Sequence, residues 1–299
     1  MLKKIFVVLV NYNTHGYTEK CIESLLKTRD CVCRIVIVDN ASQKQDISHL
    51  QDYCSRLTDV CTLLCLENNG GFAAGNNVGI RYALEHDADY VLLLNNDTVV
   101  REDTLVQLIK PFETERHLGV TTGKIYYFDN PKMLWYDGGH YHPILARTVQ
   151  YHYRKEREFL ETEPTVVNYI SGCCMCIKRE ALFKVGELSE DYFMYEEDVD
   201  YSIRFQRCGY QLMYIPKALI WHKEAASSEG YSKFKQYYMV RNKMLLIKKN
   251  WPCCIKWTAY LFALLTALNR IRKKEYQFDV VKLALEAFVR GETGRTTLV

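Results

Sequence analysis

Four short, nearly continuous apolar runs, at residues 5–10, 34–38, 60–66 and 90–94, each give way within two residues to asparagine or aspartate. Apolar runs of that length are the pattern of strands covered on both faces, as in a parallel sheet. Helical patterns separate them. Cys21, Ile22, Leu25 and Leu26 share one face, then Ile47, Leu50 and Cys54, then Val78, Ala83 and Leu84. The order βαβαβαβ implies an open, mostly parallel α/β sheet. Ligands of such sheets bind beyond the carboxyl ends of the strands, where Asn11, Asp39, Asn68 and residues 95–97 converge.

After Phe112 the pattern changes to aromatic-rich strands and turns, including residues 124–128, Trp135-Tyr136-Asp137-Gly138-Gly139 and a strand at 166–170. This half is expected to close over the first. Without internal repeats or a flexible linker, residues 1–245 read as one continuous body in two halves, 1–112 and 113–245. Residues 246–299 read as a C-terminal helical region.

The formal net charge of +3 demands no nucleic acid. The twelve cysteines fall mostly inside apolar runs of a long chain, so they read as reduced core thiols rather than a disulfide framework. The apolar run after Met1-Leu2-Lys3-Lys4 is too short for a signal peptide and ends in Asn11-Tyr12-Asn13, which favours a first strand and a cytoplasmic protein. Residues 255–268 carry only Lys256 as a charge and are flanked by Lys248, Lys249, Arg270, Arg272, Lys273 and Lys274. These fourteen residues are shorter than the ~20 a membrane span needs. Two readings stand: a helix lying on the inner membrane face, or a buried helix pair with residues 278–289.

Asp39, where the second run ends, suits hydrogen bonds to a ribose or base; a turn or helix N-cap is the alternative. Gly70-Gly71-Phe72-Ala73-Ala74-Gly75-Asn76-Asn77 opens a helix, so its amides are candidates for contact with a diphosphate. Asn76-Asn77 stands where a P-loop has Lys-Ser/Thr, and the first strand lacks G-x-G-x-x-G. Asp97, after Asn95-Asn96, is placed to ligate Mg²⁺ or Mn²⁺, with an Asx turn as the alternative. Four carboxylates within Glu196-Glu197-Asp198-Val199-Asp200 exceed what a helix cap requires, and their repulsion raises at least one pKa toward the range of a general base. His222 closes an apolar strand and is a second candidate for metal or diphosphate. The C-x-x-C within Cys173-Cys174-Met175-Cys176 has no second pair at zinc spacing and reads as a buried strand. Trp135, Tyr141, Tyr151 and Tyr153 are candidates to stack on a ligand ring, or to pack in the core.

Taken together, Val10-Asn11-Tyr12-Asn13, Val38-Asp39-Asn40-Ala41-Ser42, Glu67-Asn68-Asn69-Gly70-Gly71-Phe72, Leu94-Asn95-Asn96-Asp97, Ser171-Gly172, Tyr195-Glu196-Glu197-Asp198-Val199-Asp200 and Trp221-His222 resemble inverting glycosyltransferase family 2, in its rhamnosyltransferase-like branch. The resemblance spans roughly residues 4–245. It implies a glycosyltransferase-A fold in which Asn11, Tyr12 and Asp39 hold the nucleoside. Asn68, Gly71, Asn76 and Asn96 would border the nucleotide sugar. Asp97 would bind the metal, with His222 near metal or diphosphate. Asp198 would be the base, Glu197 would orient it, and Ser171 and Gly172 would line the acceptor side, where the aromatic Trp135 is a further candidate to stack on a sugar ring. The family's metal motif is often Asp-x-Asp, whereas Asn95 stands first here.

The implied reaction is transfer from a nucleoside-diphosphate sugar, dTDP-rhamnose first and UDP-hexose next, to a saccharide or lipid-linked saccharide in bacterial surface polysaccharide synthesis. A sugar-nucleotide nucleotidyltransferase would want a basic, glycine-rich loop near the first strand, which Val10-Asn11-Tyr12-Asn13 is not. A non-catalytic carbohydrate-binding protein of the same fold would have no need of a base.

Overall fold

The computed structural model describes residues 2–156, 163–223 and 232–297. Its first half alternates β1 (Lys4–Asn11), α1 (His15–Leu25), β2 (Val32–Asp39), α2 (Lys44–Ser55), β3 (Cys61–Cys65), α3 (Gly71–Glu85) and β4 (Tyr90–Leu94). The strands lie side by side in the order β3, β2, β1, β4, all parallel. Ile5, Val7, Val8 and Leu9 of β1 and Val91, Leu92 and Leu93 of β4 are fully buried, as strands covered on both faces must be. α3 packs closely on β1 because Gly79 faces it: a β-carbon there would lie 2.2 Å from Val8 Cγ1. Leu26 falls past the end of α1 and is exposed, so it does not share the buried face of Cys21, Ile22 and Leu25.

The second half contributes β5 (Thr98–Val100), α4 (Thr104–Ile109), β6 (Leu118–Tyr127), β7 (Leu134–Tyr136), β8 (Gly139–His142), β9 (Arg147–Gln150), β10 (Thr165–Val167), β11 (Cys174–Lys178), α5 (Arg179–Val185), α6 (Glu197–Arg207) and β12 (Gln211–His222). The sheet continues from β4 through antiparallel β11 to β6, β12 and β10. β6 and β12 run parallel to each other and in the direction of β4. The central sheet is therefore mostly parallel, and the carboxyl ends of β4 and β12 share one edge of it. β12 is longer than its apolar end at 219–221 suggests, because its register against β6 shifts between Ile215 and Leu219. The strand expected at 166–170 is cut to Thr165–Val167, since residues 168–173 leave the ladder to pass beneath α6. All twelve cysteines are free thiols, six of them buried, and Cys174 and Cys176 lie in β11 as expected of a buried strand.

The chain ends in α7 (Lys233–Asn250), α8 (Cys253–Arg272) and α9 (Phe278–Arg290). Leu246 and Ile247 of α7 enter the main core, whereas Tyr237, Tyr238 and Val240 form a second core with Val280, Val281, Ala284 and Ala287 of α9. α9 thus packs on α7, and α8 buries only Ala259 and Ala267, so residues 255–268 and 278–289 do not make a buried pair. Among the described residues, no helix is long and apolar enough to cross a membrane.

Candidate active site

The parallel register of β1 and β2 sets Asn11 beside Asp39. Both are buried, and they hold each other: Asn11 Nδ2 donates to Asp39 Oδ1 at 2.8 Å and to Asp46 Oδ2 at 2.7 Å. Asp39 Oδ2 accepts the Ser42 amide at 2.9 Å, closing the turn after β2. Asn96 Nδ2 reaches the same network through Thr14 and Thr18, at 2.8 Å each. Asp39 therefore faces inward and shapes the strand ends, while Tyr12, 46% exposed, presents its ring to solvent above them.

The first three amides of the glycine-rich segment are paired inside the protein. Gly70 N–H donates to Asn40 Oδ1 at 3.1 Å, Gly71 N–H to Asn69 Oδ1 at 2.9 Å, and Phe72 N–H to the Phe193 carbonyl at 2.9 Å. Amides already paired inside the protein are not an open anion cradle. Gly71 is required by the fold itself: its φ is +86°, and a β-carbon would lie 2.1 Å from Phe193 O. Asn76 is buried, with its amide on the Phe72 carbonyl at 2.9 Å, and Asn68 is exposed. The turn thus locks α3 to the segment that precedes α6.

At the far end of β4, antiparallel pairing of β5 with β12 sets His222 opposite Thr98. This brings His222 Nε2 to 3.1 Å from Asp97 Oδ1 and 3.4 Å from Asn95 Nδ2. The two side chains keep 6% and 14% of their surface exposed, so the pair opens to solvent by a narrow margin. His222 Nδ1 is buried with no partner among the described residues, and the Trp135 ring stands edge-on to the imidazole at 4.6 Å. Among the described residues, no three His, Cys, Asp or Glu side chains cluster as a metal cage. One carboxylate oxygen and one imidazole nitrogen fit Mg²⁺ or Mn²⁺ that takes its remaining ligands from phosphate and water. Trp135 here supports the imidazole, a placement its aromatic character alone did not indicate.

The acidic group opens α6. Tyr195 and Glu196 both adopt positive φ, 69° and 74°, turning the chain sharply into the helix. Asp200 is structural: it accepts Arg204 Nε at 2.9 Å and Asn250 Nδ2 at 2.7 Å. Glu196 pairs with Lys243 Nζ at 2.6 Å. Asp198 Oδ2 accepts the Tyr169 hydroxyl at 2.9 Å and the Gly172 amide at 3.1 Å, and its Oδ1 accepts the Val199 amide at 2.8 Å. Burial raises the Asp198 pKa above the ordinary carboxylate value, against the pull of these donors. Burial, and then the Asp198 charge, raise Glu197 well above its ordinary value; its Oε2 is buried with no partner among the described residues. Tyr169 and Gly172, rather than a hydrogen bond from Glu197, thus orient Asp198. Ser171 is buried one residue away, its Oγ accepting the Cys173 amide at 3.3 Å.

The two halves of the site meet through the backbone. Asn95 N–H donates to the Cys173 carbonyl at 3.0 Å, and Gly172, its neighbour, holds Asp198. Tyr169 and Lys243 were not singled out from sequence: they sit outside any motif, one in the turn before β11 and one on α7.

A family model, Glycosyl transferase family 2, matches residues 6–186. The chain is 26% identical to dTDP-rhamnosyl transferase RfbF of Shigella flexneri over 98% of each chain. It is likewise 26% identical to Rhamnosyltransferase WbbL of Escherichia coli K12, over 71% of this chain and 80% of WbbL. Among solved structures, GalNAc-T7 with UDP, GalNAc and Mn²⁺ superposes with a TM-score of 0.64 at 17% identity, over 83% of this chain and 48% of that one. Mannosyltransferase PcManGT of Pyrobaculum calidifontis, with GDP-Man and Mn²⁺, superposes at 0.58 and 16% identity, over 97% and 81%. At such identities these likenesses bear on fold alone, which is the glycosyltransferase-A fold.

Proposed function

The chain belongs to glycosyl transferase family 2, and from that premise we propose that it moves one sugar from a nucleoside-diphosphate donor to a saccharide acceptor, with inversion at the anomeric carbon. The likeness to RfbF and WbbL supports rhamnose as the sugar and dTDP-rhamnose as the donor, ahead of a UDP-hexose. The acceptor is a saccharide or lipid-linked saccharide of bacterial surface polysaccharide synthesis, and transfer takes place on the cytoplasmic side. Residues 1–245 form the catalytic domain, donor half 1–112 before acceptor half 113–245, and residues 246–299 form a helical appendage.

In this reading Asp198 removes the proton from the acceptor hydroxyl as its oxygen attacks the anomeric carbon, and a single displacement inverts the configuration. A pKa raised by burial brings the base closer to working pH, and Tyr169 with Gly172 fixes its direction. Asp97 and His222 would hold Mg²⁺ or Mn²⁺, which when bound would supply positive charge to the departing nucleoside diphosphate. Asn11, Asp39, Asn68, Gly71, Asn76 and Asn96 shape the nucleotide-sugar side, with Tyr12 against the nucleoside. Ser171 and Gly172 border the acceptor.

The observation that carries the reading is the short path between the two chemistries: Asn95 bonds Cys173, next to the glycine whose amide holds Asp198. It is tested by incubating the chain with a panel of nucleoside-diphosphate sugars and following release of the nucleoside diphosphate and the anomeric configuration of the product by NMR. Metal-dependent release from dTDP-rhamnose, with inverted product, supports it; retention of configuration, or no interaction with any donor, contradicts it.

A further inference from the structure

α8 is a helix whose outward face is apolar. Trp257, Leu261, Leu265 and Leu268 share one side at helical spacing and are 76%, 59%, 53% and 56% exposed. Next to them, Leu268 and Ile271 of α8 with Phe278, Val281, Leu285 and Val289 of α9 line an apolar groove of about 430 Å³. A contiguous exposed apolar area of this kind marks a contact surface.

The charges around it select the partner. Residues 248–274 contain seven Lys or Arg and no Asp or Glu. The carboxylate that lines the groove, Glu286, lies 3.9 Å from both Lys282 and Arg290. An apolar face within a basic rim fits a surface that is apolar below and anionic above. We propose that α8, with the groove it shares with α9, docks in the plane of an anionic lipid bilayer. The helix lies on the membrane and does not cross it.

The attachment is firm on the protein side. α8 begins just after Asn250, whose Nδ2 donates to Asp200 at 2.7 Å and whose Oδ1 accepts Arg207 Nη1 at 2.8 Å. Asp200 and Arg207 belong to α6, the helix that carries Asp198. Docking therefore sets the base at a fixed distance from the lipid surface, where a lipid-linked acceptor is presented. The proposal deepens the acceptor assignment above and rests on that reading for its use.

The test is co-sedimentation of the full chain with vesicles of phosphatidylcholine alone or mixed with phosphatidylglycerol. The chain is expected to pellet with the anionic vesicles and less so as salt is raised. Trp257→Glu with Leu261→Glu and Leu265→Glu, and separately Arg272→Glu with Lys273→Glu and Lys274→Glu, each lower the bound fraction about tenfold or more. Both variants should keep the parental unfolding temperature and donor turnover with a soluble acceptor. Equal pelleting of the variants, or no pelleting of the parental chain, overturns the proposal. So does a dimer, seen by light scattering, that the apolar variant dissolves while vesicle binding is unchanged. Vesicle binding in a chain that turns over no donor would uphold docking and count against glycosyl transfer.

Discussion

The Tyr169 hydroxyl donates a hydrogen bond to Asp198 Oδ2 at 2.9 Å, the oxygen that also accepts the Gly172 amide. Burial and then the Asp198 charge hold the Tyr169 phenol well above its usual value, so it stays a donor across the working pH range. Burial raises the Asp198 pKa and this bond opposes the rise. Tyr169→Phe removes the opposition. The acid limb of kcat/KM, which reports ionisation of the base, should move to higher pH, with activity on that limb about tenfold lower. A pH–rate profile with an unmoved limb would assign Tyr169 to packing alone.

The Asp97 and His222 pair should set the cation requirement. Chelation is expected to stop transfer and Mn²⁺ to restore it. Asp97→Asn and His222→Ala each raise the Mn²⁺ concentration for half-maximal rate about tenfold or more. Trp135→Ala, which frees the imidazole ring, should raise that concentration too. A rise in acceptor KM alone would instead make Trp135 a sugar-stacking platform.

Glu197 offers a stability test. Its folded pKa is raised by burial and then by the Asp198 charge, so the folded state binds this proton more tightly than the unfolded chain. Its contribution is present below the unfolded carboxylate pKa and is lost as pH rises through the higher folded value. Glu197→Gln, neutral throughout, should lack that loss and gain at least about 1 kcal/mol over the parental chain at neutral pH relative to acid. Urea unfolding at the two pH values measures it.

Gly71→Ala puts a methyl group against the Phe193 carbonyl at a residue of positive φ. A loss of about 2 kcal/mol or more is expected from urea midpoints. Because Phe193 leads directly into the Tyr195–Glu196 turn, the rate should fall as well, without a matching change in metal requirement.

The sheet was readable in the sequence because β1, β2 and β4 are covered on both faces, so their side chains are apolar nearly without interruption. Asn11, Asp39 and Asp97 were readable because they stand where those strands stop. What the polar groups do there was not. Asp39 turns inward to Asn11 and Ser42, and two amides of the glycine turn are taken by Asn40 and Phe193, partners distant in sequence. Tyr169 lies in a turn whose meaning depends on α6 packing above it, and α8 showed its apolar face to be exposed only once α9 was seen to favour α7.

The central claim is that Asp198 deprotonates the acceptor at a site whose donor is held by other residues. Asp198→Asn preserves size and shape and removes the proton acceptor, so transfer should fall at least about 10²–10⁴-fold. Donor affinity, measured by calorimetry with Mn²⁺ present, should stay within about twofold. Parental turnover in Asp198→Asn, or loss of donor binding in step with rate, would contradict the account.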